Sequence, residues 1–448
     1  MSARPTPAAV SPARACAFAV IRRVFEQGAY ADRALAAEAA GLGPRDRALA
    51  MRLAYGTVQR RATLDHVARA LSERDLATLD PPVLAALRLG LFQVLLLSGV
   101  ADHAAVNESV ELAKAAAGGG FKLVNAVLRR ATREGHAILD GLGEETPERA
   151  AILHSVPAWL AQLWWSELGP AQARALLARV NEPPESALRV NRLVATTDQV
   201  LERLPVPARP VDDLPEGLVL DGPFDAHGSE LWQSGAIMPQ SRGSMAVARI
   251  LAPEPGDRVL DLCAAPGGKT THLADLMGGV GEVVAVERHR GRADSLRDTC
   301  ARMHADCVRV EHGDATAVRG DGVFDRVLAD PPCSGLGTLQ SRPDIRWRSA
   351  LSDVAALSAI QADILAAAGA ATAPGGVLVY SVCTISRAEG EGVIGAFLER
   401  RPEFAVELSR QLTPHLDGTD GFFIARLRRS GAAGGSGAAS RDRVGTED

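Results

Sequence analysis

At 448 residues the chain is longer than one hydrophobic core usually supports, so we expect about two or three domains. A hydrophobic fraction of 47% and a charged fraction of 23% are typical of soluble globular proteins, and the apolar run 89–100 is too short to span a bilayer. The six cysteines show no disulfide-framework spacing and no Cys-x-x-Cys pair, and no secretory signal precedes the first helix, so we expect a cytoplasmic chain without disulfides, metal or membrane.

The N-terminal part, residues 13–140, is predicted to be an all-α bundle of about six or seven helices. Glycine and proline pairs separate its apolar segments, as expected at helix boundaries. The residues before it, 1–12, are predicted to be a disordered N-terminus. Apolar residues recur at helical spacing in four segments, 17–25, 51–58, 64–71 and 83–97.

Charge is distributed unevenly along the chain. Residues 1–133 contain 18 Lys and Arg against 11 Asp and Glu, a balance of +7 in a chain whose net charge is −5. A basic segment on an acidic chain attracts phosphate, so the bundle is a candidate RNA-binding domain, although an arginine-rich solvated surface would look the same. Only three of the basic residues are lysines, and the others are arginines. A lysine in this chain is therefore of interest for its compact, titratable ammonium, and Lys269 is the one in the predicted loop 263–269.

The next segment, 141–228, is predicted to be a small linker subdomain. It begins helical over 157–180, continues as a strand at 186–190 and a helix at 197–204, and ends in prolines.

From residue 229 to 429 short β-rich runs alternate with helical stretches. This alternation predicts an α/β domain with a doubly wound parallel sheet. The tail, 430–448, is rich in Gly, Ala and Ser and is predicted to be disordered. The predicted strands are 259–262, 282–286, 307–311, 324–329 and 376–381, followed by a closing hairpin at 404–408 and 422–427.

The first of these strands runs into a glycine turn that opens a helix. Such a turn lets the backbone approach a ligand closely, but the spacing fits neither a Walker A loop nor the Gly-x-Gly-x-x-Gly of dinucleotide-binding domains. The loop residues predicted to bind the cofactor are Cys263, Ala264, Ala265, Pro266, Gly267, Gly268 and Lys269.

Acidic residues stand at the ends of three successive strands. Asp261 closes the first strand, Glu287 ends the second and can accept hydrogen bonds from ribose hydroxyls, and Asp314 follows the third and can accept from an adenine amino group. Each alone is more often a solvated loop residue. Together they predict a nucleoside-containing ligand.

Two cysteines also follow strand ends, Cys333 in Asp330-Pro331-Pro332-Cys333 and Cys383 after Val382. A lone cysteine is more often a small buried hydrophobe, and we apply that interpretation to Cys16, Cys300 and Cys307. A rigid proline turn at the edge of a cleft favours a chemical role instead.

Thiols at a nucleoside site suggest methylation of cytosine carbon 5. That carbon becomes nucleophilic when a thiolate adds to carbon 6, and cysteine is a suitable nucleophile because it also leaves readily. Asp330 could hydrogen-bond the N3/N4 edge of the base, and Lys269 could lower a thiol pKa or hold the cytosine carbonyl. The target base must be unpaired or extruded.

The motifs resemble a known family. Asp-Leu-Cys-Ala-Ala-Pro-Gly-Gly-Lys-Thr at 261–270, Asp-Pro-Pro-Cys-Ser-Gly-Leu-Gly at 330–337 and Pro-Asp-Ile-Arg-Trp at 343–347 are similar to the Sun/Fmu RNA cytosine-C5 methyltransferases. Residues 13–135 resemble the NusB fold, with Arg-Asp-Arg at 45–47 and Tyr-Gly-Thr at 55–57 among its landmarks. The combination resembles bacterial members that act on small-subunit ribosomal RNA.

The resemblance implies an all-α NusB-like domain joined to a Rossmann-like class I methyltransferase that uses S-adenosylmethionine. It implies that Cys383 is the nucleophile and that Cys333 assists release of the methylated RNA, a choice that the residues alone leave open. It also implies that residues 263–269, Glu287, Asp314 and Asp330 form the cofactor and base pocket. This chain has Val382, Glu287 and Pro331 where the family usually has Thr, Asp and Ala.

We therefore expect an enzyme whose substrate is RNA, with ribosomal RNA as the favoured class. We expect no association with a membrane and no obligate protein partner. Three alternatives remain from the sequence: a methyltransferase for tRNA, a non-catalytic RNA-binding assembly factor that keeps a cofactor pocket, and an exocyclic-amine methyltransferase. The last usually has an aromatic residue at the position of Cys333.

Overall fold

A computed structural model describes residues 10–117, 119–318 and 322–431. The predicted disordered segments 1–12 and 430–448 therefore lie mostly outside the described residues. The combination of an all-α N-terminal domain with an α/β C-terminal domain is confirmed.

The helices of the N-terminal bundle pack around α5 (Pro81–Leu96), which is buried on all sides from Ala85 to Leu95, and bury their apolar faces in a shared core. The first helix of the bundle begins with a proline at the first turn and ends at Gly28, whose φ of 65° closes the helix in the left-handed region. A buried ion pair crosses the bundle, since Arg88 donates two hydrogen bonds to the carboxylate of Asp65, at 2.7 and 2.8 Å. The helices are α1 (Pro12–Gln27), α2 (Ala31–Glu38), α3 (Pro44–Gln59), α4 (Arg61–Ser72), α5 (Pro81–Leu96), α6 (Asp102–Ala117) and α7 (Phe121–Asp140).

The linker subdomain combines helices with a four-stranded antiparallel sheet in the order β2-β3-β1-β4. The predicted helical stretch 157–180 is two helices, because Gly169 (φ 80°) and Pro170 interrupt it. Its elements are α8 (Pro147–Leu153), α9 (Ala158–Leu168), α10 (Pro170–Arg179), β1 (Ala187–Val190), α11 (Thr197–Arg203), β2 (Ala208–Val211), β3 (Leu214–Leu220), α12 (Glu230–Gln233) and β4 (Ile237–Pro239).

The sequence predicts only the strand at 186–190, so β2, β3 and β4 are additions that the structure makes. The proline-rich end of the segment forms β2, and Pro210 is tolerated there because β2 is an edge strand. The sheet also extends to Pro239, past the predicted boundary at 228, because β4 pairs with β1.

The C-terminal domain is a seven-stranded sheet in the order β10-β11-β9-β8-β5-β6-β7. Strands β7, β6, β5, β8 and β9 are parallel, and β11 is antiparallel to both of its neighbours. The predicted alternation and closing hairpin are confirmed. The elements are α13 (Arg242–Leu251), β5 (Arg258–Leu262), α14 (Gly268–Leu276), β6 (Glu282–Glu287), α15 (Arg290–Arg302), β7 (Val308–His312), β8 (Phe324–Ala329), α16 (Ile345–Arg348), α17 (Leu351–Ala371), β9 (Thr372–Val382), α18 (Glu391–Arg400), β10 (Phe404–Leu412), α19 (Pro414–Asp417) and β11 (Phe422–Arg429).

Within the described ranges, α17 is the helix long and apolar enough to cross a membrane by length and composition. It packs on β8 and β9 and against α18, with 39% of its apolar window buried. That packing is what a helix covering one face of a parallel sheet requires.

The short helix α16 connects the three domains. The fully buried guanidinium of Arg346 donates to carbonyls of the bundle and linker, including Ser155 O at 3.0 Å and Val180 O at 3.2 Å. The neighbouring Trp347 donates its indole N–H to Val58 O at 2.6 Å. Because a buried carbonyl left without a donor costs about 1–3 kcal/mol, these contacts fix the bundle and the linker beside the C-terminal sheet.

Candidate active site

A large cleft lies at the carboxyl edge of the parallel sheet. Strands β5 and β8 are neighbours in the sheet, but the chain continues from β5 to β6 on one side and from β8 to β9 on the other. Open α/β sheets bind ligands at such a switch point in strand order. The cleft has a volume of about 1020 Å³. One wall comes from the segment before α17, and Tyr30 of the N-terminal bundle reaches its mouth.

The glycine turn forms the floor of this cleft. Cys263 adopts a left-handed conformation (φ 65°), which turns the chain sharply after β5. All the predicted loop residues line the cleft except Gly267. Gly267 (φ 105°) immediately precedes α14 and lies against α15. A Cβ atom at this position would lie 2.8 Å from Leu296 Cδ1. Glycine at this position therefore permits close packing of the turn against α15, and the assignment of Gly267 to the cofactor loop stays a prediction.

Two of the strand-end carboxylates are almost fully buried. Asp261 is 1% exposed; its Oδ2 accepts from Thr270 Oγ1 at 2.6 Å, while its Oδ1 has no partner among the described residues. Burial raises the pKa of Asp261 to about 7. Glu287 is 3% exposed and accepts from His289 N at 2.8 Å. Buried acceptor oxygens facing a cleft fit a ligand that brings amino and hydroxyl donors.

The third carboxylate, Asp314, lies at the rim and is half-buried, with its side chain 42% exposed. Its Oδ1 accepts from the backbone N and the hydroxyl of Thr316 at 2.9 and 2.7 Å. These hydrogen bonds lower the pKa of Asp314, and the carboxylate lines the same cleft as Glu287.

The two cysteines at strand ends are in contact. Cys333 Sγ lies 3.3 Å from Cys383 Sγ, hydrogen-bonded and unbridged, and both line the cleft beside the glycine turn. The juxtaposition that thiol chemistry requires is therefore present.

The surroundings of the two thiols differ in charge. A hydrogen bond from Cys333 lowers the pKa of Cys383, and the cations Lys269 and Arg342 add to this effect against burial and Asp330. The same hydrogen bond, burial and the carboxylate of Glu389 raise the pKa of Cys333 well above its usual range. Cys383 is thus the thiol that ionises first.

Lys269 and Asp330 form an ion pair next to this thiol. Lys269 Nζ lies 2.7 Å from Asp330 Oδ2, and the other carboxylate oxygen accepts from Ser381 Oγ at 2.8 Å. Burial opposes the charge on Lys269, but the carboxylate of Asp330 outweighs it, so the pKa of Lys269 is raised. The ammonium stays charged beside Cys383.

Sequence reasoning missed Glu389, which is fully buried. Its carboxylate accepts from Ser334 N at 2.8 Å, from Thr384 Oγ1 at 2.9 Å and from Gln361 Nε2 at 3.0 Å. Ser334 and Thr384 directly follow the two cysteines in the chain. Glu389 therefore ties the two thiol-bearing loops together.

The other cysteines fit their interpretation as small hydrophobes. Cys16 and Cys300 are buried and Cys307 is half-buried, and burial raises the pKa of each thiol. Cys263 lines the cleft, but burial raises its pKa to about 12, so it remains protonated at neutral pH.

We expect Lys269→Met to shift the ionisation of Cys383 to higher pH. The thiol pKa is depressed partly by this cation, so its loss leaves only Arg342 to oppose Asp330 and favours the neutral thiol. Alkylation of Cys383 by iodoacetamide, followed by peptide mass spectrometry across pH, measures the midpoint. Lys122→Met, on the exposed surface of α7, is the matched control. An unchanged midpoint in Lys269→Met would contradict the assignment.

Comparison with known families assigns each part of the chain. The model described as 16S rRNA methyltransferase RsmB/F matches residues 248–428, the NusB family model matches 11–133, and the ferredoxin-like domain of RsmF/B-like methyltransferases matches 156–227. The N-terminal bundle is thus NusB-like, as predicted.

Individual relatives match over nearly their whole length. The probable ribosomal RNA small subunit methyltransferase B of Synechocystis sp. is 36% identical and covers 93% of this chain and 99% of its own. The protein with the same description in Bacillus subtilis is 34% identical, covering 87% and 92%.

Solved structures agree on the architecture. The crystal structure of PH0851 superposes with a TM-score of 0.80 at 26% identity, covering 95% of this chain and 100% of its own. NSun6 from Pyrococcus horikoshii with SFG shares the fold, with a TM-score of 0.58 at 22% identity over 62% of this chain and 100% of its own.

Proposed function

Since the chain belongs to the RsmB/F family of 16S rRNA methyltransferases, we propose that it methylates carbon 5 of a cytosine in ribosomal RNA through a covalent cysteine adduct. The chain is an S-adenosylmethionine-dependent RNA methyltransferase; the target atom and the covalent route are the proposal. One observation carries it: two thiols 3.3 Å apart in the cleft beside the glycine turn. We further propose that it acts in the cytoplasm.

The residues of the cleft fit S-adenosylmethionine, whose sulfonium supplies the methyl group. We propose that Asp261 and the loop 263–269 hold the amino-acid part, that Glu287 accepts from the ribose hydroxyls, and that Asp314 accepts from the adenine amino group. The unpartnered oxygen of Asp261 and the buried carboxylate of Glu287 support this arrangement.

The chain's own groups would carry the remaining chemistry. The thiolate of Cys383 bonds to carbon 6 of cytosine, which raises electron density at carbon 5 for attack on the methyl donor. Asp330, fixed by Lys269 and Ser381, hydrogen-bonds the N3/N4 edge and stabilises the altered ring. A base then removes the proton from carbon 5, the electron pair restores the 5,6 double bond, and the bond between carbon 6 and sulfur breaks.

We expect Glu287→Gln to weaken cofactor binding about tenfold or more. Hydrogen bonds to a charged group contribute about 1.5–3 kcal/mol, and about 1.4 kcal/mol corresponds to a tenfold change in Kd. Isothermal titration with S-adenosylhomocysteine measures the change. Glu282→Gln, at the exposed opposite end of β6, is the matched control. Equal affinities for the wild type and Glu287→Gln would remove Glu287 from the cofactor site.

The function is tested by incubating the protein with methyl-labelled S-adenosylmethionine and either undermethylated small-subunit particles, their naked RNA, or tRNA. Nucleoside mass spectrometry should show 5-methylcytidine in ribosomal RNA. N4-methylcytidine would overturn the target atom, labelled tRNA alone would overturn the substrate, and cofactor binding without any product would favour an assembly factor.

A further inference from the structure

A second groove lies between the N-terminal bundle and the linker subdomain. It has a volume of about 540 Å³, and its walls are helix α4, the start of α9 and the segment around Trp347. We call it the lateral groove and define it by Arg61, His66, Arg69, Trp159 and Trp347. None of the chemistry described above uses it.

The lateral groove carries an excess of positive charge. Asp65 is already bonded twice to Arg88, and Arg61 Nε is 3.8 Å from the same carboxylate. Burial, together with the neighbouring charges of Arg88 and Arg69, lowers the pKa of Arg61, and Asp65 offsets this only in part. The other lining carboxylate, Glu148, accepts from Gln162 at 3.0 Å. The groove thus suits a polyanion.

Its walls also present aromatic rings beside the arginines. Trp159 and Trp347 are both half-buried and line the groove. The guanidinium of Arg61 lies 5.2 Å from the Trp347 ring and 5.0 Å from the Phe25 ring. Alternating aromatic and arginine surfaces are what single-stranded nucleic acids use, since bases stack on the rings and phosphates pair with the cations.

The lateral groove adjoins the active-site cleft, because Ser349 lines both. At this junction Arg348 lies 3.9 Å from the ring of Tyr30, and Arg33 lies 5.0 Å from it. Tyr30 is 45% exposed and reaches the mouth of the cleft. A strand leaving the cleft would meet a further aromatic and arginine pair before the groove.

We infer that the lateral groove holds the single-stranded RNA flanking the target nucleotide, which passes from the cleft over Ser349 between the bundle and the linker. The identity of the nucleotide in the cleft rests on the proposed function. The groove itself requires only an unpaired RNA strand.

The test measures binding of fluorescent single-stranded RNAs of about four and about twelve nucleotides by anisotropy, over a series of salt concentrations. The full chain is used as Cys383→Ser without methyl donor, so catalysis does not contribute. In this background the test substitution is Arg69→Glu, on the exposed face of α4. The control substitution is Arg129→Glu, which makes the same charge change in the same domain at a residue that lines neither cavity.

We expect the longer RNA to bind more tightly than the shorter one. Arg69→Glu should weaken the longer RNA about tenfold and reduce its salt slope by about one, leaving the shorter RNA unaffected, and Arg129→Glu should change neither. Hydrogen exchange should show protection of 61–69 and 148–159 by the longer RNA only.

Three results would overturn the inference: wild-type affinity of Arg69→Glu for the longer RNA, equal affinity for both lengths, or tighter binding of duplex than of single-stranded RNA. Because no methyl transfer is measured, these outcomes are independent of whether the product is 5-methylcytidine.

Discussion

Cys383→Ser is expected to lower methyl transfer by a factor on the order of 10⁴ or more, about 5.5 kcal/mol in the activation barrier. Lys269 and Arg342 stabilise the thiolate of Cys383. A serine hydroxyl does not ionise at neutral pH, so in the variant these cations have no anion to stabilise. Without addition at carbon 6, carbon 5 stays a poor nucleophile. Transfer of labelled methyl under single-turnover conditions measures the loss.

The same variant should also fail to form a covalent complex with RNA that contains 5-azacytidine, which the wild type should trap. Cys307→Ser is the matched control, because this half-buried cysteine does not line the cleft. Undiminished 5-methylcytidine from Cys383→Ser would show that another group is the nucleophile.

The sequence could predict the composition of this cleft because a parallel sheet gathers its strand ends. Every motif that follows a strand in β5, β6, β7, β8 or β9 arrives at one edge, whatever the length of the helix between. For this reason Glu287, Asp330, Cys333 and Cys383, which are far apart in the chain, line one cleft.

The sequence could not predict contacts that depend on tertiary packing. Nothing in the pattern around Glu389 distinguishes it from an acidic residue at a helix start, yet it holds both thiol loops. Tyr30 reaches the cleft mouth in a bundle that Arg346 and Trp347 contact through the carbonyls of Gln59 and Val58. The proline-rich end of the linker segment has no strand pattern, yet Pro210 lies in β2, since edge and central strands are not distinguished until the sheet is assembled.

The choice between the two thiols as nucleophile also depends on tertiary packing. Either cysteine could be a nucleophile by its position after a strand. In the folded chain Cys383 faces the cations Lys269 and Arg342, whereas Cys333 faces Glu389. This asymmetry supports Cys383 as the nucleophile, which the family resemblance implies, and it keeps the Cys333 thiol protonated.

We propose that this proton gives Cys333 a role in release of the methylated RNA. Its pKa is raised first by the hydrogen bond to Cys383, then by burial, and then by the negative charges of Cys383 and Glu389. When Cys383 is bonded to carbon 6, its hydrogen bond and its charge no longer raise this pKa, so Cys333 gives up its proton more easily than in the free enzyme and can take the proton from carbon 5. Elimination then returns the thiolate to Cys383 and leaves Cys333 protonated, as at the start.

Cys333→Ala should therefore stall after methylation, with most of the protein held as a covalent RNA complex that survives denaturing electrophoresis and contains 5-methylated cytosine. Multiple turnover should fall at least about 100-fold, the contribution typical of a positioned acid or base, while the first methyl transfer persists. Cys307→Ala should turn over without an adduct, and the double variant with Cys383→Ser should form none. Because alanine leaves the Cys383 loop anchored by Glu389, rapid turnover without an adduct in Cys333→Ala would mean that another base removes the carbon-5 proton.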